Sequence, residues 1–176
     1  MYNVTGRGVD VISAFNESDK NKFHGGPMLL KNATSGDPEL GVFAIKDFGD
    51  EWTKFSYESL DEVKLKENFD QYFGIFPWDL LPKDAVGFDM GCGTGRWAKY
   101  VARKVKTLNC IEPSNAIIVA KQNLFEEKNI KYFKETTENC SLIPSSQDFG
   151  YCLGVLHHIP NTQEALNDCT KLLKSG

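Results

Sequence analysis

No stretch of the 176 residues is apolar over anything near the roughly 18 residues that a membrane span requires. The opening MYNVTGRGVDVISAFNESDK holds no apolar run of signal-peptide length. Both absences point to a soluble, cytoplasmic protein with no membrane partner. Cysteine is sparse and patternless. Cys92, Cys110, Cys140, Cys152 and Cys169 form no C-x-x-C pair, and several lie in apolar runs where a thiol behaves as a small hydrophobe. This excludes a disulfide scaffold and gives no reason to expect a metal site. Positive charge is also short: 20 Lys and Arg face 24 Asp and Glu, with the signs mixed along most of the chain. No broad basic face is left for a phosphate backbone, so nucleic acid is not the expected partner. Internal repeats and low-complexity tracts are absent too.

What remains is an ordinary globular composition. With 41% hydrophobic residues the chain can build one domain with a real core, and two domains would be a squeeze. Residues 1–57 are irregular, with turn formers in HGGP and SGDPELG, and read as an N-terminal arm or cap. Residues 58–176 read as the folded domain. Leu65, Phe69, Tyr72, Phe73 and Phe76 recur at helical spacing before Pro77 ends the run. A strand over Ala85–Met90, a glycine loop over Gly91–Gly95 and a helix over Arg96–Lys104 follow. Thr107–Ile111 then reads as a strand, Ser114–Glu127 as a helix with Ile117, Ala120 and Leu124 inward, and Ile130–Phe133 as a third strand. A fourth strand spans Phe149–Leu156. Asn161 with Glu164 three residues on predicts a capped helix that turns Ala165, Cys169, Leu172 and Leu173 inward. The alternation implies an α/β fold, a Rossmann-like doubly wound parallel sheet with ligands at the carboxyl ends of its strands.

The loops after the strands therefore carry the chemistry. In D-M-G-C-G-T-G, Asp89 to Gly95, alternate glycines let the chain turn tightly and let a ligand lie against bare backbone, although a strand-to-helix turn without a ligand would use the same glycines. The spacing G-x-G-x-G, with Arg96 where a later glycine would stand, differs from the dinucleotide G-x-G-x-x-G and lacks the G-K-[ST] ending of a phosphate loop. Glu112 ends the second strand, where a carboxylate can accept both hydroxyls of a ribose or cap the helix that begins near Ser114.

D-M-G-C-G-T-G after one strand, Glu112 after the next, and SQDFGYCLGVLHHIPNTQEAL through the fourth resemble the class I S-adenosylmethionine-dependent methyltransferases of the methyltransferase-domain type. The resemblance covers about residues 48–176. It implies that S-adenosylmethionine is the cofactor and S-adenosylhomocysteine the product. It also implies that Asp89, Gly91, Gly93 and Gly95 surround the methionine and ribose, with Cys92 in the same loop. Glu112, with Pro113 beside it, would hold the ribose hydroxyls. Thr137, Glu138 and Asn139 would reach the adenine, and Gly154 and Leu156 would line the methyl-transfer side. Two departures stand out: the adenine loop lacks the aspartate many members carry, and Gln147 precedes Asp148 where a phenylalanine is common. A third is length. The family sheet has seven strands, and KLLKSG falls where the fifth should begin. An incomplete sheet would leave strand four as a raw edge, to be paired with another chain in a homo-oligomer or covered by the N-terminal arm.

His157 and His158 close the fourth strand. There an imidazole can take a proton from an acceptor or serve as a structural hydrogen bonder. Trp52, Phe55 and Tyr57 either pack the cap or fold over the cofactor, where aromatic faces attract a cation. The leading expectation is a methyltransferase acting on a small-molecule acceptor. A binding fragment without catalysis is the alternative, and a nicotinamide-dependent oxidoreductase is disfavoured by the glycine spacing.

Overall fold

Among the described residues the earliest helix, α1 (Glu62–Phe73), buries Phe69 and Phe73 on one side, as the apolar spacing requires. The computed structural model describes residues 62–175, so the arm over residues 1–57, its boundary with the domain, and Trp52, Phe55 and Tyr57 lie outside the described residues. Phe69 stacks on Phe73 at 4.6 Å. Phe73 then meets Tyr151 edge-on at 5.1 Å, and Phe76 meets Phe149 at 5.7 Å, which seats the helix on the sheet. Tyr72 departs from its expected inward place: it is 36% exposed and rests beside Trp97.

Four strands follow, β1 (Val86–Met90), β2 (Thr107–Ile111), β3 (Ile130–Phe133) and β4 (Phe149–Tyr151). They pair in the order β3-β2-β1-β4, all parallel. Three further helices connect or flank them: α2 (Ala98–Ala102), α3 (Ala116–Asn123) and α4 (Thr162–Lys171). Successive strand residues point to opposite faces. Leu108, Cys110, Phe149 and Tyr151 face a core shared with α1, α2 and α3. Phe88, Met90, Ile111 and Cys152 face a second core closed by Ala165, Cys169 and Leu172 of the α4 segment. The Rossmann-like α/β sheet with helices on both faces is therefore present.

Three expected boundaries shift. The fourth strand stops at Tyr151 rather than Leu156, because Gly154 takes φ +73° and the chain closes into a 3-10 turn over Leu156–His158. The helix after β2 starts later, since the Ser114 hydroxyl accepts the Ala116 N–H at 3.1 Å in a local turn. The helix after the glycine loop is only five residues long. The expected cap on α4 is in place: the Asn161 side chain accepts the Glu164 N–H at 3.2 Å and donates to its carboxylate at 2.7 Å. Gln147, in the position where the resembled family often has phenylalanine, is buried. It accepts from Asn109 at 2.9 Å and donates to Ser146 at 2.6 Å, so its amide is satisfied. Beyond α4 the chain runs beside the start of β4, with Leu173 bridging Gln147 in parallel and Lys174 ion-paired to Asp148 at 2.7 Å.

Candidate active site

The glycine loop leaves β1 by bonding to its neighbour: the N–H groups of Gly91 and Cys92 both donate to the Ile111 carbonyl, at 2.8 and 3.1 Å. All three glycines of the loop have positive φ, but for different reasons. A Cβ on Gly91 would lie 2.4 Å from Val155, and one on Gly95 2.5 Å from Leu124, so both are close-packing positions. A Cβ on Gly93, at φ +54°, would meet nothing within 4 Å. Gly154, at the end of the β4 segment, is open in the same way. Among the described residues, Gly93 and Gly154 therefore leave backbone open at the carboxyl edge of the sheet, and packing against Val155 and Leu124 fixes the glycine loop.

Glu112 ties two loops together. Its carboxylate accepts the Gly93 N–H at 3.1 Å and the Ser114 N–H at 2.9 Å. A carboxylate has about four acceptor positions, and these two backbone donors do not fill them. Pro113 beside it is half-buried. Asp89 is buried in β1, with 3% of its surface exposed, and accepts the Tyr151 hydroxyl at 2.9 Å. Burial pushes its carboxyl up to about 7; the Tyr151 hydrogen bond opposes that rise, and the nearby Glu112 charge adds to it. Cys92 is buried, and its hydrogen bond with Cys110 together with desolvation pushes its thiol well above the ordinary range, so it stays a neutral wall of the loop.

The remaining positions are distributed around this edge. Thr137 is half-buried, and Glu138 and Asn139 are exposed in the loop after β3. The Asn139 hydrogen bonds run to Thr136 within that loop. Leu156 is buried in the core against α4, whereas Gly154 is exposed. His157 lies in the 3-10 turn and its side chain is outside the described set, as is Trp52. Three contributors were not singled out from sequence. Glu135 pins the loop after β3 by accepting the Ser141 N–H at 2.8 Å and hydroxyl at 3.0 Å. Lys134 joins that loop to Asn115 at 2.8 Å. Tyr151 is the donor to Asp89. A tyrosine in an otherwise apolar strand was the available signal, since a buried phenol needs a polar partner.

A family model described as "Methyltransferase domain" matches residues 88–176, half of the chain. The chain belongs to the methyltransferase-domain family. Among its curated relatives, the ubiquinone biosynthesis O-methyltransferase of Klebsiella pneumoniae (strain 342) is 31% identical over 91 residues, covering 50% of this chain and 38% of that protein. The tRNA U34 carboxymethyltransferase of Helicobacter pylori (strain J99 / ATCC 700824) is 31% identical over 136 residues, 70% of this chain and 50% of its own length. This methyltransferase-domain chain thus spans half or less of the length of these relatives. Among solved structures, a Leishmania major protein titled a SAM-dependent methyltransferase superposes with TM-score 0.61 at 16% identity, covering 81% of this chain and 61% of that one. Phosphoethanolamine N-methyltransferase 1 of Haemonchus contortus, solved with phosphoethanolamine and S-adenosylhomocysteine, gives 0.60 at 14% identity, covering 73% and 30%. At such identities these likenesses establish the fold.

Proposed function

We propose that this methyltransferase-domain chain binds S-adenosylmethionine across the loops that follow β1 to β4 and serves methyl transfer to a small-molecule acceptor. The observation that carries the reading is the open backbone surface at Gly93, set against a Glu112 carboxylate whose own bonds hold it in place. The residues fit the group. Gly93 and Gly154 leave room where side chains would stand, and Glu112 retains acceptor capacity for ribose hydroxyls. Gly91, Gly95 and Cys92 hold the loop's shape, Pro113 shapes its neighbour, and Thr137, Glu138 and Asn139 are the adenine-side positions. When bound, S-adenosylmethionine supplies a methyl group on a sulfonium sulfur, leaving S-adenosylhomocysteine. The work of the chain is to hold and align: much of a displacement barrier is removed by fixing two reactants in line. His157 is the base candidate for an acceptor that must lose a proton, Leu156 supports its turn, and Trp52 is a candidate lid over the donor.

Mixed charges and a net charge of -4 favour a metabolite over RNA as acceptor, although one relative is named for a tRNA reaction. A donor-binding module that depends on further residues for catalysis is the second reading, favoured by the short span of the relatives that the chain covers. The outer edge of β4 is the proposed place for a second copy of the chain, or for residues 1–57, to pair.

Calorimetric titration with S-adenosylhomocysteine, with NADH as control, tests the donor site. Micromolar binding of the first ligand alone is expected. Each hydrogen bond to a charged group is worth roughly 1.5 to 3 kcal/mol, so Glu112→Ala should weaken binding about tenfold to a hundredfold. Equal binding of NADH, or an unaffected Glu112→Ala variant, would contradict the reading.

A further inference from the structure

A groove of about 400 Å³ is lined by Glu62, Lys66 and Phe69 of α1, Tyr100 of α2, and Arg103 and Lys104 just beyond it. Its floor is aromatic: the Phe69 and Tyr100 rings lie 4.9 Å apart, and both residues are buried. Its rim is cationic, three basic side chains against one carboxylate. Lys66 pairs with Asp70, Arg103 with Glu127, and Glu62 with Lys99. Lys104 lies over the Trp78 ring at 5.2 Å and is in no ion pair among the described residues. The unsatisfied group is the Tyr100 hydroxyl. It is buried, with 7% of the residue exposed, and has no hydrogen-bond partner among the described residues. A buried hydroxyl left unpaired is destabilising, so this floor calls for a partner.

The chain itself brings one to the mouth of the groove. Asp61 directly precedes Glu62, which lines the groove, and adjacent Cα atoms are about 3.8 Å apart. Residues 47–61, DFGDEWTKFSYESLD, carry Asp47, Asp50, Glu51, Glu58 and Asp61 against Lys54, interleaved with aromatic rings. A cationic rim over an aromatic floor suits both the acids and the rings. Even fully extended, the chain keeps Glu58 within about 14 Å of Glu62 and Phe55 within about 25 Å. We propose that residues 47–61 of this chain occupy the groove, with the Phe55 ring on the Phe69–Tyr100 floor and the Glu58 carboxylate accepting the Tyr100 hydroxyl. Two residues past Lys104, the Lys106 N–H donates to the Ala85 carbonyl at the start of β1. That end of the groove therefore lies toward the amino edge of the sheet, opposite the open glycines, and the contact is separate from donor binding.

The test is urea unfolding of the full 176-residue chain and its variants. Removing an unpaired hydroxyl leaves a protein as stable as before or more so, whereas removing a paired one strands its acceptor. Tyr100→Phe should therefore lower the urea midpoint, and so should Glu58→Ala and Phe55→Ala. Tyr100→Phe combined with Glu58→Ala should fall by less than the two single changes added together. Affinity for S-adenosylhomocysteine should stay within about twofold of wild type in all of them, as for sites without shared partners. An equal or higher midpoint for Tyr100→Phe, or strict additivity with Glu58→Ala, overturns the inference. So does a Phe55→Ala variant that loses affinity with its midpoint unmoved, which would put that ring over the donor. A coupling that vanishes on dilution would assign the groove to the same segment of a second copy and overturn it too. Should Phe55→Ala fail to fold, the Tyr100 and Glu58 cycle still decides. Absence of S-adenosylhomocysteine binding by the wild-type chain would overturn the donor reading and leave the midpoints to decide this one.

Discussion

Asp89 places a cost at the centre of the fold. Its carboxyl is held at about 7 by burial, above the ordinary 3.8, with the Tyr151 hydrogen bond only partly offsetting the rise. A folded-state value raised above the unfolded one gives stability that is present below pH 3.8 and lost as pH rises toward 7. Thermal melts of Asp89→Asn should therefore match wild type near pH 4 and exceed it progressively by pH 8; parallel curves across that window would contradict the assignment. Much at this scale was legible in sequence. Asp89, the glycines and Glu112 were recognisable because turn chemistry and charge at a strand end are local signals. Tyr151 was not, because its meaning depends on a β1–β4 register that joins residues 62 apart. Nor could sequence distinguish Gly91 and Gly95, which yield space to Val155 and Leu124, from Gly93, where a Cβ would meet nothing within 4 Å.

Within the elements, β2 and β3 end where their apolar runs end, and β4 does not. YCLGVL reads as one continuous strand, yet positive φ at Gly154 diverts it after Tyr151. Periodicity reports burial, and a buried turn carries the same apolar residues as a buried strand. Gly150 marks the tightest point of the shortened strand: a Cβ there would lie 2.1 Å from the Phe88 ring. Gly150→Val should cost about 1–3 kcal/mol or more by overpacking, seen as a lower urea midpoint with an unchanged slope; an unshifted midpoint would mean the ring does not lie there. At the start of α4, Asn161→Ala removes the side-chain acceptor for Glu164 and should cost about 1 kcal/mol. The same urea titration reads it, and the effect should be independent of the ligand.

At the scale of the molecule, a four-stranded parallel sheet brings the loops after β1, β2 and β4 to one edge, and the contacts from Gly91 to Val155 and from Glu112 to Gly93 and Ser114 make them one surface. The other sheet boundary, beyond β4, is engaged at Gln147 by Leu173 and Lys174. If a second chain pairs along the rest of it, sedimentation should show association that grows with concentration, and a monomer throughout would leave that edge to residues 1–57. The central claim, that the donor lies on the backbone at Gly93 against Glu112, is tested most directly by amide NMR spectra titrated with S-adenosylhomocysteine. The largest shifts are expected at Gly93, Ser114 and Gly154, with the amides of Lys131 and Phe125 unmoved. Shifts centred elsewhere, or none at saturating ligand, would contradict it.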